Sequence, residues 1–185
     1  EANLFISDGT SGGTNAIVRV EDGSHLVLSL NGRVLFSGRD EAHGWEFWTT
    51  DGTGPGTSIL KDIAPGTNDS SPGEFSVFGE FGIFNAKDDV HGAELWRTDG
   101  TTDGTVLLRD LNPGAGDSSP YMFTVSGPYL YFVAVAPQMG REIWRTDGTP
   151  EGTILLKDIK PGPAESEPYG LADSNGVLFF SAREN

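Results

Sequence analysis

Four aspartates, Asp8, Asp51, Asp99 and Asp147, each open an Asp-Gly-Thr turn that ends two residues further on in Gly-Thr. Carboxylates set among hydroxyls are oxygen ligands that suit a hard cation, so calcium is the ion such loops would take. Each loop supplies a single carboxylate, whereas calcium takes about six to eight oxygens. The same residues also make a sound turn: Asp accepts backbone N–H bonds, Gly supplies positive φ and Thr caps the next strand. Turn chemistry accounts for the spacing with fewer assumptions, and the four aspartates stand as candidate calcium ligands beside it.

A second set pairs histidine with glutamate, in His43-Gly-Trp-Glu46 and His91-Gly-Ala-Glu94. One His per pair is too few for a zinc centre. The third copy of the pattern has Met139 in the histidine's place but keeps Glu142. A loop histidine followed by a carboxylate bonded to backbone is the better expectation. Trp45 belongs to neither set, and its counterparts in the other copies are Ala93 and Arg141. An aromatic that breaks a repeat suits ligand contact, stacking on a sugar or packing on another subunit. Trp45 is the leading candidate ligand-binding residue, joined by Tyr121 and Tyr169. Asn68-Asp69-Ser70 forms a glycosylation sequon.

No catalytic residues are assigned. The sequence offers no nucleophile elbow, no phosphate-cradling glycine loop and no Ser–His–acid arrangement that the repeat does not explain better. Formal charge is −15, from 27 acidic and 12 basic residues, which leaves too few cations for a nucleic-acid surface. There is no cysteine, so disulfides and thiolate metal sites are excluded. No apolar run reaches the ~18–20 residues that span a bilayer, so membrane insertion is not expected. The chain begins at Glu1 rather than Met, as a processed product, a fragment or a trimmed chain would.

These residues are positioned by a repeat. Trp-Arg-Thr-Asp-Gly-Thr occurs at 96–101 and 144–149, a near-copy occupies 48–53, and a degenerate fourth, with Phe5 for Trp, occupies 5–10. The tryptophans recur every 48 residues, so Trp48, Trp96 and Trp144 read as core. Each unit holds short runs of Val, Ile, Leu, Phe and Tyr bounded by Gly, Pro, Asp and Asn, which predicts strands. In the third copy they are Met122–Ser126, Tyr129–Ala136, Glu142–Thr146 and Thr153–Asp158. No useful stretch has helical periodicity.

Four strands in roughly 45–50 residues is the arithmetic of a β-propeller blade. Adjacent apolar residues such as Leu95 and Trp96 fit a strand covered on both faces. Phe36, Phe84 and Phe132 each lie 12 residues before a tryptophan, but Phe180 is followed by no such partner, and the missing strand occurs at Asn3-Leu4-Phe5. The expected fold is therefore all-β, one domain over residues 1–185: a propeller of four four-stranded blades with one blade shared by the termini. The alternatives are a segment of a longer array, or copies of the chain that complete one another's split blade.

The run Glu94-Leu95-Trp96-Arg97-Thr98-Asp99-Gly100-Thr101, with Gly104-Thr105 and Pro113-Gly114, resembles the ELWxxDGT repeat of large bacterial extracellular proteins. Glu142-Ile143-Trp144 through Pro161-Gly162 matches again, and Glu46-Phe47-Trp48 through Pro65-Gly66 nearly so. The first copy departs, with Phe5 for Trp and a linker at Glu21–Ser24 that lacks Pro-Gly. The resemblance covers essentially the whole chain and implies a propeller-like, secreted or surface-attached protein without known catalytic residues. The expectation is a non-enzymatic extracellular module, structural or adhesive, in a surface layer, sheath or filament, with other copies or other surface proteins as partners and calcium as a possible stabiliser. The runner-up is a lectin-like propeller that binds glycans.

Overall fold

The computed structural model describes residues 2–20 and 27–184. The linker Glu21–Ser24 and the solitary His25 lie outside the described residues. The described chain is all-β, with sixteen strands in five antiparallel sheets and no helix.

Two hairpins flank three four-stranded sheets. The first hairpin pairs β1 (Ala2–Ile6) with β2 (Asn15–Val20). The first full sheet runs in order β3 (Val27–Leu30), β4 (Arg33–Asp40), β5 (Gly44–Thr50), β6 (Ser58–Lys61). The second is β7 (Gly73–Phe78), β8 (Phe81–Asp88), β9 (Gly92–Thr98), β10 (Val106–Arg109), and the third is β11 (Tyr121–Ser126), β12 (Tyr129–Ala136), β13 (Gly140–Thr146), β14 (Ile154–Lys157). The last hairpin pairs β15 (Tyr169–Ser174) with β16 (Val177–Ser181). Each full sheet is a meander in sequence order, as short turns demand.

The register is the same in all three. Phe36 lies opposite Trp48, Phe84 opposite Trp96, and Phe132 opposite Trp144. The core lies between successive sheets rather than within one. Phe47 and Leu35 of the first sheet pack with Phe84 and Trp96 of the second. On the other face of the second sheet, Ile83 and Leu95 pack with Phe132 and Trp144 of the third. Neighbouring residues Ile83 and Phe84 are thus both buried, one on each face, which is why these strands lack the apolar–polar alternation of a half-exposed sheet. Phe47 and Phe84 meet with ring centroids 4.4 Å apart.

The first strands β3, β7, β11 and β15 neighbour one another in that order. The β1–β2 hairpin packs on the β3–β6 sheet, where β2 meets β4, and β15–β16 packs on the β11–β14 sheet through β11. The fourth unit, expected as one blade, is present as two hairpins in separate sheets at the two ends of this series, and β16 does not pair with β1.

Candidate functional site

The aspartate turns repeat atom for atom. In the second full sheet, Asp99 Oδ1 accepts from the Thr101 N–H at 2.8 Å and from Thr101 Oγ1 at 2.7 Å. Thr101 Oγ1 accepts from the Gly104 N–H at 3.0 Å, and Thr105 Oγ1 donates to the Thr101 carbonyl at 2.6 Å. Asp8, Asp51 and Asp147 hold the same bonds to Thr10, Thr53 and Thr149. The first glycine of the turn has φ between 89° and 92° in all four copies, a left-handed conformation that costs glycine little. The second glycine has another reason: a Cβ at Gly13, Gly56, Gly104 or Gly152 would overlap the carboxylate of the turn's own aspartate.

Hydrogen bonds from the threonine hydroxyl and N–H hold the Asp99 and Asp147 carboxyls below the usual aspartate range. Asp8 and Asp51 are lowered by the same two donors. One oxygen of each candidate calcium ligand is therefore already committed to its own turn. Among the described residues no three His, Cys, Asp or Glu side chains gather as a metal group.

The turns also touch the preceding sheet. Arg97 Nη1 donates to the Gly148 carbonyl at 2.7 Å, Arg109 Nη1 to the Pro150 carbonyl at 3.0 Å, and Thr102 Oγ1 to the Leu60 carbonyl at 2.8 Å. A turn that fixes its own hairpin thus also fixes the spacing to its neighbour.

The glutamates act on the linkers. Glu94 is fully buried and accepts from the Leu111 N–H at 2.8 Å, the Ser118 N–H at 3.0 Å and Ser118 Oγ at 2.6 Å. Glu46 does this with Ile63, Ala64 and Ser70, and Glu142 with Ile159 and Ser166. Burial pushes the Glu94 carboxyl up to about 7, against the pull of Ser118 and Leu111, and burial also raises Glu46. The expected bond from this carboxylate to backbone is present. Its serine partners look like mere turn formers in the sequence, although Ser70, Ser118 and Ser166 each follow their glutamate by 24 residues.

The histidines face aspartates that sequence reasoning does not single out. His43 Nδ1 lies 2.9 Å from Asp40, and His91 Nδ1 lies 2.8 Å from Asp88. Asp88 Oδ1 also accepts from the Val90 and His91 N–H groups, so it closes the β8–β9 turn. Both histidines titrate above their ordinary value, chiefly through the bond to the aspartate. A signal for the pair exists: Asp and His occur together in two copies and are replaced together by Ala136 and Met139 in the third.

The aromatic candidates are dispersed. Trp45 is the second residue of β5, Tyr121 begins β11 and Tyr169 begins β15, in three different sheets. The Trp45 N–H donates to Asp69 Oδ1 at 2.8 Å. Tyr121 carries the Arg141 guanidinium 5.7 Å from its ring centre, and Arg141 occupies the repeat position of Trp45. Tyr169 is exposed. Among the described residues no ring contact joins any two of the three. In the sequon, Asn68 Nδ2 donates to the Asp89 carboxylate, and Ser70 is buried on Glu46.

No protein-family model matches the chain, and no curated protein matches it. Among solved structures it is similar to the computationally designed Ika8 protein, with 16% identity and a TM-score of 0.45 over 93% of this chain and 50% of that one. The chain spans about half the length of that structure.

Proposed function

We propose that this chain is a non-enzymatic structural module of β-propeller type that acts on the cell exterior by assembling with other copies of itself or with other surface proteins. One observation carries the reading: the recurring groups that could do chemistry hold the scaffold. Each turn aspartate closes its own turn, each glutamate ties a linker to a sheet, and the arginines stitch one sheet to the next. A surface built this way is rigid and nearly identical from repeat to repeat, which suits lateral contact with many copies. The extracellular setting comes from the resemblance of the Glu-Leu-Trp-x-x-Asp-Gly-Thr runs.

The test is light scattering after size exclusion, with calcium and then with a chelator, followed by sugar titration of the tryptophan fluorescence. Assemblies well above the 19.7 kDa of one chain, formed without sugar, are the expected result. A monomer whose fluorescence is quenched by a glycan, with the quenching abolished in Trp45→Ala, would replace this reading with the lectin one. Assemblies that fall apart in chelator would add calcium at the aspartate turns.

A further inference from the structure

We infer that each full sheet holds one proton between two facing carboxyl groups, and that the linker to the next sheet loosens when this proton leaves. The pairs are Glu46 with Asp62, Glu94 with Asp110 and Glu142 with Asp158. The ladder brings the two acids together. On β9 and β10, Leu107 lies opposite Trp96 and Arg109 opposite Leu95, so the next step places Asp110 opposite Glu94. The same step follows from Phe47 opposite Lys61 and from Ile143 opposite Lys157. Opposed residues on one face of an antiparallel pair have Cβ atoms about 4.5–5.5 Å apart, within reach of two carboxyl groups.

The pair has an acceptor that lacks a donor. Glu94 is fully buried, as are Glu46 and Glu142. Asp110 Oδ1 is buried without a hydrogen-bond partner, and the same atom is orphaned in Asp62 and Asp158. Buried acceptors are rarely left unpaired. The indole on this face does not bond the carboxylate directly, since Trp96 Nε1 is itself buried without a partner. A protonated glutamate is a donor, and Glu94 has room for the proton. Its Oε2 accepts from the Leu111 N–H and the Ser118 hydroxyl, whereas among the described residues Oε1 accepts from the Ser118 N–H alone. Two ionised carboxylates side by side in a buried site repel, so such a pair keeps one proton. The rise of Glu94 to about 7, chiefly through burial and further through Asp110, agrees with this.

The surrounding charges leave the pair little compensation. His91 in the β8–β9 turn feels both Glu94 and Asp110, but its Nδ1 is bonded to Asp88. Lys87 neighbours Ala86, the residue opposite Glu94, so it points to the other face and is exposed. In the linkers, Asp117 is bonded to the Ala93 N–H, and Asp69 of the preceding sheet to the Trp45 N–H. The degenerate copy lacks both acids together: Asn3 and Arg19 hold these positions and lie opposite each other on β1 and β2.

One serine carries the effect to the neighbouring sheet. Ser118 gives its N–H and hydroxyl to Glu94, and its carbonyl accepts the Val135 N–H of β12 in the third sheet. Ser70 does the same between Glu46 and Lys87 of the second sheet. While the proton is held, Glu94 is a neutral donor to Asp110. As pH rises through about 7 the proton leaves, two charges face each other beneath the linker, and the serine's grip on the next sheet weakens. This device goes beyond the assembly reading and acts in a single chain.

The test is a titration of the wild-type chain and two variants of matched shape. The Glu94 carboxyl carbon is followed by NMR from about pH 4 to about pH 9, together with hydrogen exchange at the Leu111 and Ser118 amides. The wild type is expected to keep the Glu94 proton up to about pH 7. Exchange at both amides then speeds up roughly ten-fold or more beyond the intrinsic effect of pH. Asp110→Asn removes the facing charge and brings the Glu94 midpoint down toward the ordinary carboxylate range. Glu94→Gln is a permanent donor to Asp110 Oδ1, so the extra pH dependence of exchange disappears. A wild-type Glu94 that ionises in the ordinary range overturns the inference. So does a midpoint that Asp110→Asn leaves in place, or a pH response that survives Glu94→Gln.

Discussion

The β11–β14 sheet and the pair of hairpins β15–β16 and β1–β2 are written with one repeat, yet only the first has a finished interior. Phe132 and Trp144 face each other across β12 and β13 and are buried against the neighbouring sheet. Their counterparts Phe180 and Phe5 sit on two different sheets, and Phe5 is exposed. Along β12 and β13 the central hydrophobic residues are covered from both sides, while β14 and the two end hairpins leave the same residue types exposed. Apolar patches of that kind on a folded surface mark contact sites. The difference teaches that stability in this chain comes from sheet-to-sheet stacking, so a unit without its neighbours is unfinished whatever its own sequence.

The largest expected effect comes from this contrast. Phe132→Ala should cost about 3–5 kcal/mol, because it removes a buried ring and leaves a cavity. Phe180→Ala should cost roughly 1 kcal/mol in dilute protein, because its ring is only partly buried. Denaturant unfolding at two protein concentrations checks both. If copies associate as proposed through this end, the cost at Phe180 rises with concentration and the cost at Phe132 does not. Equal costs in dilute solution would break the comparison.

The linkers sharpen it. Glu94→Ala leaves the Leu111 N–H buried without its acceptor and leaves the Ser118 N–H and hydroxyl with only the Ala93 carbonyl, at a cost of about 2 kcal/mol. Asn3 holds the glutamate's position in the first copy, and the linker after that copy lacks the Pro-Gly turn. Asn3→Ala is therefore expected to change stability little in the isolated chain. The same glutamate gives a pH signature. Its carboxyl, raised by burial to about 7, holds its proton more tightly folded than unfolded. Its contribution is then fully present below the unfolded value of 4.5 and is lost as pH rises through about 7. Glu94→Gln should flatten that slope in a series of unfolding titrations between these limits.

Most of the architecture is legible because the repeat states it several times. The alternation of apolar runs and turns locates β12 at Tyr129–Ala136 with the bounds observed. The fourth strand of that copy comes out too long: Thr153–Asp158 shortens to Ile154–Lys157, because Thr153 belongs to the turn, where its hydroxyl is bonded to Thr146 and Thr149. Less legible is which side chains meet across 17 to 24 residues, such as Glu94 with Leu111 and Ser118. Periodicity gives the face of a strand but not the path of the linker that returns to it. The expected joined fourth unit rests on spacing alone, and spacing does not say whether Phe180 meets Phe5 of its own chain or of another.

The smallest effect tests why the turn needs its second glycine. Gly104→Ala puts a methyl group where the Asp99 carboxylate lies, and overpacking of this kind costs about 1–2 kcal/mol. Asp99→Ala removes an exposed carboxylate whose bonds to Thr101 compete with water, so roughly 0.5–1 kcal/mol is expected. If the clash is the whole reason for glycine, the double variant is less unstable than the sum, with a coupling near ~1 kcal/mol. Additive costs would mean that the backbone itself demands glycine and that the aspartate only fills the space beside it. The same cycle at Gly13 and Asp8, in the β1–β2 turn, should give a coupling of the same sign, because this geometry is local to the hairpin. Turn chemistry is complete within one half-unit; burial of Phe5 and Phe180 is not.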